Sequence, residues 1–231
     1  MDYKEKYIKY KLKYLELKNN MVGGNPSLII HICGASGAGK TTLGNKLQEK
    51  YGNKIVVKDI DELRANFIKE HYGNKNWKII DKDAYQNYID NYIDKINKPL
   101  IFVGLNHMPW WHKNLYYNMH STHNFFIQLD NPTIIKQKCT RYLTEELTNI
   151  TKDKIAMNDM IHNSKKFISI ITNNVKRECN AAEIIQYNNK WNKDYKKQGY
   201  KFMSRENIYK SVVKLLNNIF GKINENIIQK K

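Results

Sequence analysis

The chain has 231 residues, of which 41% are hydrophobic, and its formal net charge is +17. A chain of this length and apolar content can bury a core, which argues against wholesale disorder and suits one α/β domain with a short appendage. Its apolar runs are shorter than the roughly 20 residues that cross a bilayer, and the first residues lack the apolar segment of a signal peptide. We therefore expect no membrane partner.

The positive charge comes almost entirely from lysine, since arginine occurs at only four positions. The lysines are spread along the whole chain, and asparagine and isoleucine are also frequent, a bias typical of an AT-rich genome. A surface for nucleic acid is the alternative explanation of this charge. We favour compositional bias, so nucleic acid is the less favoured partner.

The N-terminal segment, residues 1–26, is predicted to be an amphipathic helix followed by a glycine-rich hinge. Its apolar side chains recur at helical spacing and alternate with lysines, at Tyr3, Tyr7, Tyr10, Tyr14 and Leu17. The run Gly23-Gly24-Asn25-Pro26 then ends the helix. The sequence KYIKYKLKYLELK followed by two glycines resembles the N-terminal segments of many proteins of giant DNA viruses.

Two features indicate where the protein resides. The viral resemblance implies an origin in an infected cell, with the host cytoplasm as the expected site and the virion as the alternative. The three cysteines, Cys33, Cys139 and Cys179, are far apart and lack CxxC spacing. They predict reduced thiols in an intracellular protein and not a disulfide framework.

From residue 27 the pattern changes to apolar runs that alternate with helical periodicity. Strands are predicted at 28–33, 55–57, 100–103, 125–129 and 200–203. Helices are predicted at 40–51, 62–71, 85–96, 132–148, 155–179 and 205–220. This alternation predicts an α/β fold over residues 27–220, a five-stranded, mostly parallel sheet with helices on both faces. A basic C-terminal tail, 221–231, follows.

A phosphate-binding motif lies between the first strand and the first helix of this domain. The run Gly34-Ala35-Ser36-Gly37-Ala38-Gly39-Lys40-Thr41 fits G-x-x-x-x-G-K-[ST] at every position. Its glycines allow the backbone N–H groups to converge on phosphate oxygens at the positive end of a helix. Lys40 is predicted to reach the β- and γ-phosphates, Thr41 to hold Mg²⁺, and Thr42 to complete the loop. The motif therefore predicts a P-loop NTPase fold that binds ATP with Mg²⁺.

The other sequence elements of the main P-loop classes are missing. The chain has no D-x-x-G element of a GTPase and no Ser-Gly-Gly motif of an ABC-type ATPase. The third strand is followed by Gly104-Leu105-Asn106, without the acidic residue usual in motor and AAA-type ATPases. The small-kinase branch remains.

The second strand is followed by two carboxylates and an arginine, in the run Asp59-Ile60-Asp61-Glu62-Leu63-Arg64. This run resembles the D-x-D-x-x-R region of zeta-toxin-type kinases and polynucleotide 5′-kinases, and shikimate- and gluconate-kinase-like enzymes are similar here. The resemblance implies that Asp61 accepts the proton of an acceptor hydroxyl, that Asp59 lies near Mg²⁺, and that Arg64 holds an anionic part of the acceptor. A solvated acidic helix start is the alternative interpretation.

Two further segments are candidates for ligand contacts. Trp110 and Trp111 follow the third strand and are interpreted either as a stacking surface for a ring or as core anchors. Arg141 and Lys138 share a helix face, and this helix resembles the lid of small kinases. The resemblance makes Arg141 the candidate for neutralising charge on the transferred group.

Together these elements predict an ATP- and Mg²⁺-dependent kinase that phosphorylates a hydroxyl of a small molecule, such as a nucleoside, nucleotide or metabolite. A polynucleotide 5′-hydroxyl kinase is one alternative, favoured by the net charge of +17. A viral structural or interaction protein that binds nucleotide without turnover is the other.

Overall fold

A computed structural model of the chain describes residues 26, 28–73, 80–107, 116–152, 158 and 162–228. Five strands form one sheet with the order β2-β3-β1-β4-β5. They are β1 (Ile29–Gly34), β2 (Val56–Asp59), β3 (Leu100–Val103), β4 (His123–Ile127) and β5 (Lys201–Met203). The predicted α/β fold with a five-stranded parallel sheet is confirmed. The amphipathic helix predicted within residues 1–26 lies outside the described residues.

The helices of the described residues follow the strands in the expected alternation. They are α1 (Lys40–Tyr51), α2 (Ile60–Tyr72), α3 (Lys82–Asp94), α4 (Asn131–Lys152), α5 (Ser164–Glu178), α6 (Ala181–Lys197) and α7 (Arg205–Ile228), with a short 3-10 turn at Gly52–Lys54. Strand register is parallel where β2 meets β3, with Asp59 opposite Val103. It is also parallel where β4 meets β5, with Phe126 opposite Phe202.

The described chain divides into two compact units, and the first contains the described residues up to His31 together with Gly44–His123. Its core is a cluster of buried aliphatic and aromatic side chains from β1, β3, α2 and α3. Phe67 of α2 packs on Tyr85 of α3, with ring centroids 5.0 Å apart. Helix α1 comes close to the strands at Gly44, where an added β-carbon would lie 2.9 Å from a methyl group of Val57. A side chain at that position would overpack the core.

The second unit contains Ile32–Leu43 and the described residues from Asn124 onward. Phe126 of β4 stacks on Phe202 of β5, with ring centroids 4.6 Å apart. Helix α7 buries one face, at Ile208, Val212 and Leu216, which recur at helical spacing. This unit carries the end of β1, the start of α1 and the turn between them.

The structure corrects several predicted boundaries. Helix α6 was not predicted, although Asn180 caps it by accepting hydrogen bonds from the N–H groups of Ala182 and Glu183. Strand β2 continues to Asp59 because backbone pairing does not require an apolar side chain. Helix α7 continues to Ile228, into the segment predicted as a basic tail. Strand β4 begins at His123 and ends before Gln128.

A buried histidine in β1 gives the fold a pH-dependent stability. His31 is fully buried and its Nε2 lies 3.1 Å from the carbonyl oxygen of Gly104. Burial lowers the pKa of His31 to about 4, and this outweighs the opposite effect of the Gly104 hydrogen bond. The neutral imidazole therefore donates this hydrogen bond at neutral pH.

We expect acid to destabilise the protein through His31. Because the folded-state pKa lies below the ordinary value, the stabilisation is complete above about pH 6.5 and is lost as the pH falls toward about 4. The loss in unfolding free energy should be about 3 kcal/mol. His31→Gln, which cannot titrate, should flatten this pH dependence in urea unfolding between pH 5 and pH 7. Parallel pH profiles of the parent and the variant would contradict the assignment.

Candidate functional site

The turn between β1 and α1 has the backbone curl that a phosphate-binding loop requires. β1 ends at Gly34, and α1 begins at Lys40. Gly37 and Gly39 both have φ of +81°, a conformation that side chains with a β-carbon rarely adopt. At Gly37 a β-carbon would also lie 3.1 Å from the Cβ atom of Gln137. Glycine at positions 37 and 39 is therefore a geometric requirement of this turn.

Backbone carbonyl groups at the start of the loop hold the ammonium group of Lys40. Its Nζ atom donates hydrogen bonds to the carbonyl oxygens of Gly34, at 3.0 Å, and Ala35, at 2.9 Å. These acceptors are neutral, whereas a phosphate oxygen carries negative charge and attracts the ammonium group more strongly. A phosphate group at the loop would therefore compete well for this ammonium group.

A cleft of about 820 Å³ opens beside this turn, within the second unit. The loop and α1 contribute one side of it and α4 the other. The lining residues are Gly37, Gly39, Lys40, Thr41, Thr42, Thr133, Lys136, Gln137, Thr140 and Arg141. Three of these side chains are cationic and none is acidic. The charge of the cleft thus suits an anionic ligand.

Helix α4 brings Arg141 to the cleft but also gives it a partner. Its Nε donates to Glu145, 2.6 Å away, and both side chains are more than half exposed. An exposed ion pair of this kind stabilises by about 1 kcal/mol at most, so an anion in the cleft could compete for the guanidinium. Lys136, five residues earlier, lines the cleft as well, whereas the sequence indicates Lys138. The spacing of Thr133, Lys136 and Gln137 would have identified this helix face.

The predicted acceptor-side residues lie in the first unit, at the start of α2. Asp59 is the N-cap of this helix, because its Oδ1 accepts a hydrogen bond from the N–H of Asp61 at 2.9 Å. The Asp61 side chain is 76% exposed and accepts a hydrogen bond from Nη1 of Arg64 at 3.1 Å. Asp61 is therefore open to a ligand and oriented by a neighbouring cation.

Hydrogen bonds to α2 and to the segment after β3 hold the guanidinium group of Arg64. Its Nη2 donates to the carbonyl oxygens of Leu105, at 3.3 Å, and His107, at 3.2 Å, in the segment after β3. Asn106 stabilises the same segment, since it is buried and its Nδ2 donates to the carbonyl oxygen of Tyr117 at 2.7 Å. Trp110 and Trp111 lie outside the described residues. Arg64 thus links the start of α2 to the segment after β3 and holds Asp61 in place.

The donor chemistry of the site is compatible with a magnesium ion that is bound mainly by a nucleotide. The described residues contain no cluster of three or more His, Cys, Asp or Glu side chains that could hold a metal. Mg²⁺ in nucleotide sites needs few protein ligands, because phosphates and water fill most positions. The Thr41 side chain, which carries a hydroxyl oxygen, lines the cleft. The carboxylate of Asp59 is already used as a helix cap, and its metal role stays a prediction.

Among the described residues, three buried polar atoms in and around Arg64 have no hydrogen-bond partner. They are Nε of Arg64 and the hydroxyl groups of Tyr85 and Tyr117. The two tyrosine rings pack edge to face with centroids 4.6 Å apart, and both interact electrostatically with Arg64. Burial raises the pKa of both phenols, so both remain neutral.

We expect Tyr85→Phe to raise the free energy of unfolding by about 1 kcal/mol, because it removes a buried, desolvated hydroxyl that has no hydrogen-bond partner among the described residues. Tyr88→Phe is the matched control on the same helix, since the Tyr88 hydroxyl donates to Glu70 at 3.1 Å. The control should show no gain. Urea unfolding of both variants provides the measurement, and a destabilised Tyr85→Phe would mean that this hydroxyl is bonded in solution.

Comparison with known proteins adds little to this geometry. No protein-family model matches the chain, and neither does any curated protein. Among solved structures, the chain is similar to a gluconokinase from Sinorhizobium meliloti 1021, with 15% sequence identity and a TM-score of 0.29. The match covers 49% of this chain and 63% of the gluconokinase chain, less than two thirds of that protein. In the described part of the chain, no helix has both the length and the apolarity to cross a bilayer.

Proposed function

We propose that this protein is a P-loop kinase that transfers the γ-phosphoryl group of ATP to a hydroxyl group of a small molecule. The observation that carries the proposal is the turn from Gly34 to Lys40, with two glycines at φ of +81° and a lysine ammonium group at its start. This combination is the arrangement that binds the phosphates of a nucleotide. The cationic lining of the adjoining cleft supports the same ligand class.

The nucleotide-side residues are assigned roles from their positions in the cleft. Backbone N–H groups of the loop would bind phosphate oxygens, and Lys40 would exchange its two carbonyl partners for the β- and γ-phosphates. Thr41 would hold Mg²⁺, which neutralises charge on the phosphates when it is bound. Lys136 and Arg141 on α4 would stabilise the charge of the transferred group.

The acceptor-side roles are assigned to the start of α2. Ligands of open α/β sheets bind beyond the carboxyl ends of the strands, and Asp61 follows the carboxyl end of β2. We assign Asp61 as the base that takes the proton of the acceptor hydroxyl, and Arg64 as the residue that orients Asp61. Asp59 would support the metal or its waters in addition to capping the helix.

A labelled-product assay tests the proposal. The protein is incubated with γ-labelled ATP, Mg²⁺ and a panel of nucleosides, nucleotides, sugars and sugar acids, and products are separated and counted. Labelling of at least one small hydroxyl compound, absent with Lys40→Ala, is the expected result. Oligonucleotides with and without a 5′-hydroxyl belong in the panel, since selective labelling of the former would identify a polynucleotide kinase. Saturable ATP binding with no labelled product would identify a non-catalytic nucleotide-binding protein.

A further inference from the structure

Arg205, the first residue of α7, lies against the phosphate-binding loop. A β-carbon added to Gly39 would be 2.5 Å from Nη1 and 3.3 Å from Cδ of Arg205. Its guanidinium group therefore lies directly over the backbone of the residue that precedes Lys40. Both residues belong to the second unit, although they are far apart in the sequence.

The position of Arg205 is unfavourable for a cation unless an anion is nearby. It stands in the first turn of a helix of 24 residues, where the helix dipole is positive, and the acidic residue of that turn, Glu206, pairs with Lys210. The loop that it covers leads into the N-terminus of a second helix, and the next residue there is the cation Lys40. An anionic ligand in the loop would offset the repulsion from both sources.

We infer that Arg205 binds a phosphate group of the nucleotide held by the loop, an inference that rests on the function proposed above. A guanidinium group presents its N–H donors in a planar fork that matches two phosphate oxygens at once, which an ammonium group cannot do. The Arg205 side chain is exposed, so a ligand in the loop can reach it. Helix α7 thereby supplies a cation to the loop in addition to those of α4.

This assignment makes a specific prediction about which ligands are affected. A phosphate contact contributes equally to ATP and to inorganic tripolyphosphate, whereas a contact with the base contributes only to ATP. Arg205→Ala should weaken the binding of both magnesium complexes by about ten- to a hundred-fold, the range for losing a hydrogen bond to a charged group. Arg205→Lys should recover part of the lost affinity, because lysine keeps the positive charge but lacks the planar fork of N–H donors.

Isothermal titration calorimetry with the full chain tests this prediction. Arg177→Ala is the matched control, since it removes the same charge from an exposed arginine of α5 that pairs with Glu178. It should bind both ligands like the parent. The thermal midpoint of ligand-free Arg205→Ala should equal or exceed that of the parent, because a cation is removed from a helix N-terminus.

Several outcomes would overturn the inference. Parental affinity of Arg205→Ala for both ligands would show that the arginine makes no contact with them. A loss for ATP alone would place Arg205 at the nucleoside, and a lower thermal midpoint with unchanged affinity would make its role structural. If the parent itself binds neither ligand, the proposed function fails as well, so the two failures are distinguishable.

Discussion

Lys40→Ala should weaken the binding of MgATP by about 100-fold or more and abolish phosphoryl transfer. The substitution removes the ammonium group that would bind two phosphates by charge-assisted hydrogen bonds, each worth about 1.5–3 kcal/mol. Equilibrium dialysis with labelled ATP measures the first effect, and product counting measures the second. Because Lys40 donates to the carbonyl oxygens of Gly34 and Ala35, the variant also loses two contacts inside the loop.

Two controls separate ligand binding from damage to the loop. Lys46→Ala removes an exposed lysine from the same helix, and it should bind MgATP like the parent. Thermal melting of Lys40→Ala should show a folded protein with a cooperative transition. A folded Lys40→Ala with parental ATP affinity would show that the loop does not bind the triphosphate in the way proposed.

Asp61→Asn should lower the rate of phosphoryl transfer by about 100-fold or more, the scale expected for losing a general base. The amide keeps the shape of the side chain and can still accept a hydrogen bond from Arg64, but it cannot take a proton from an acceptor hydroxyl. The affinity for ATP should stay near that of the parent, because the proposed base acts on the acceptor hydroxyl and not on the phosphates. Single-turnover transfer and ATP binding, measured on the same preparation, test both halves of the prediction.

The neighbouring glutamate provides a matched control for Asp61. Glu62 lies one residue further along α2, is exposed, and pairs with Lys58 at 2.8 Å. Glu62→Gln makes the same acid-to-amide change within the same helical turn and should leave transfer unchanged. Equal loss of activity in both variants would mean that the turn needs negative charge at its N-terminus and not a base. Parental activity of Asp61→Asn would remove the catalytic role of this residue.

The parts of the site that local chemistry determines were predictable from the sequence. The start of α1 at Lys40 and the bounds of β3 agree with the structure because a glycine-rich turn and a continuous apolar run are local signals. Asp59 shows the limit of such reasoning. Its carboxylate forms a helix cap that the pattern D-x-D-x-x-R does not reveal.

Long-range contacts were not predictable in the same way. Arg205 lies beside Gly39 because β5 joins the sheet directly before α7 begins. No local sequence pattern predicts this contact between residues that are far apart in the chain. Helix α6 was missed for a different reason. Its buried residues recur at helical spacing, at Ile184, Asn188 and Tyr195. Because one of them is polar and many asparagines and lysines lie between them, the apolar periodicity of this segment is weak.

The most direct test of the proposal is calorimetric titration of the parent protein with ATP, with and without Mg²⁺, and with adenosine as the ligand that lacks phosphates. We expect one saturable site for ATP, with an affinity that depends on Mg²⁺ and with no detectable binding of adenosine. That result would show that ATP binds through its phosphate groups, as expected if the turn from Gly34 to Lys40 is a phosphate-binding loop. Absence of ATP binding in the presence of Mg²⁺, or equal binding of adenosine, would contradict the assignment of this turn as a phosphate-binding loop.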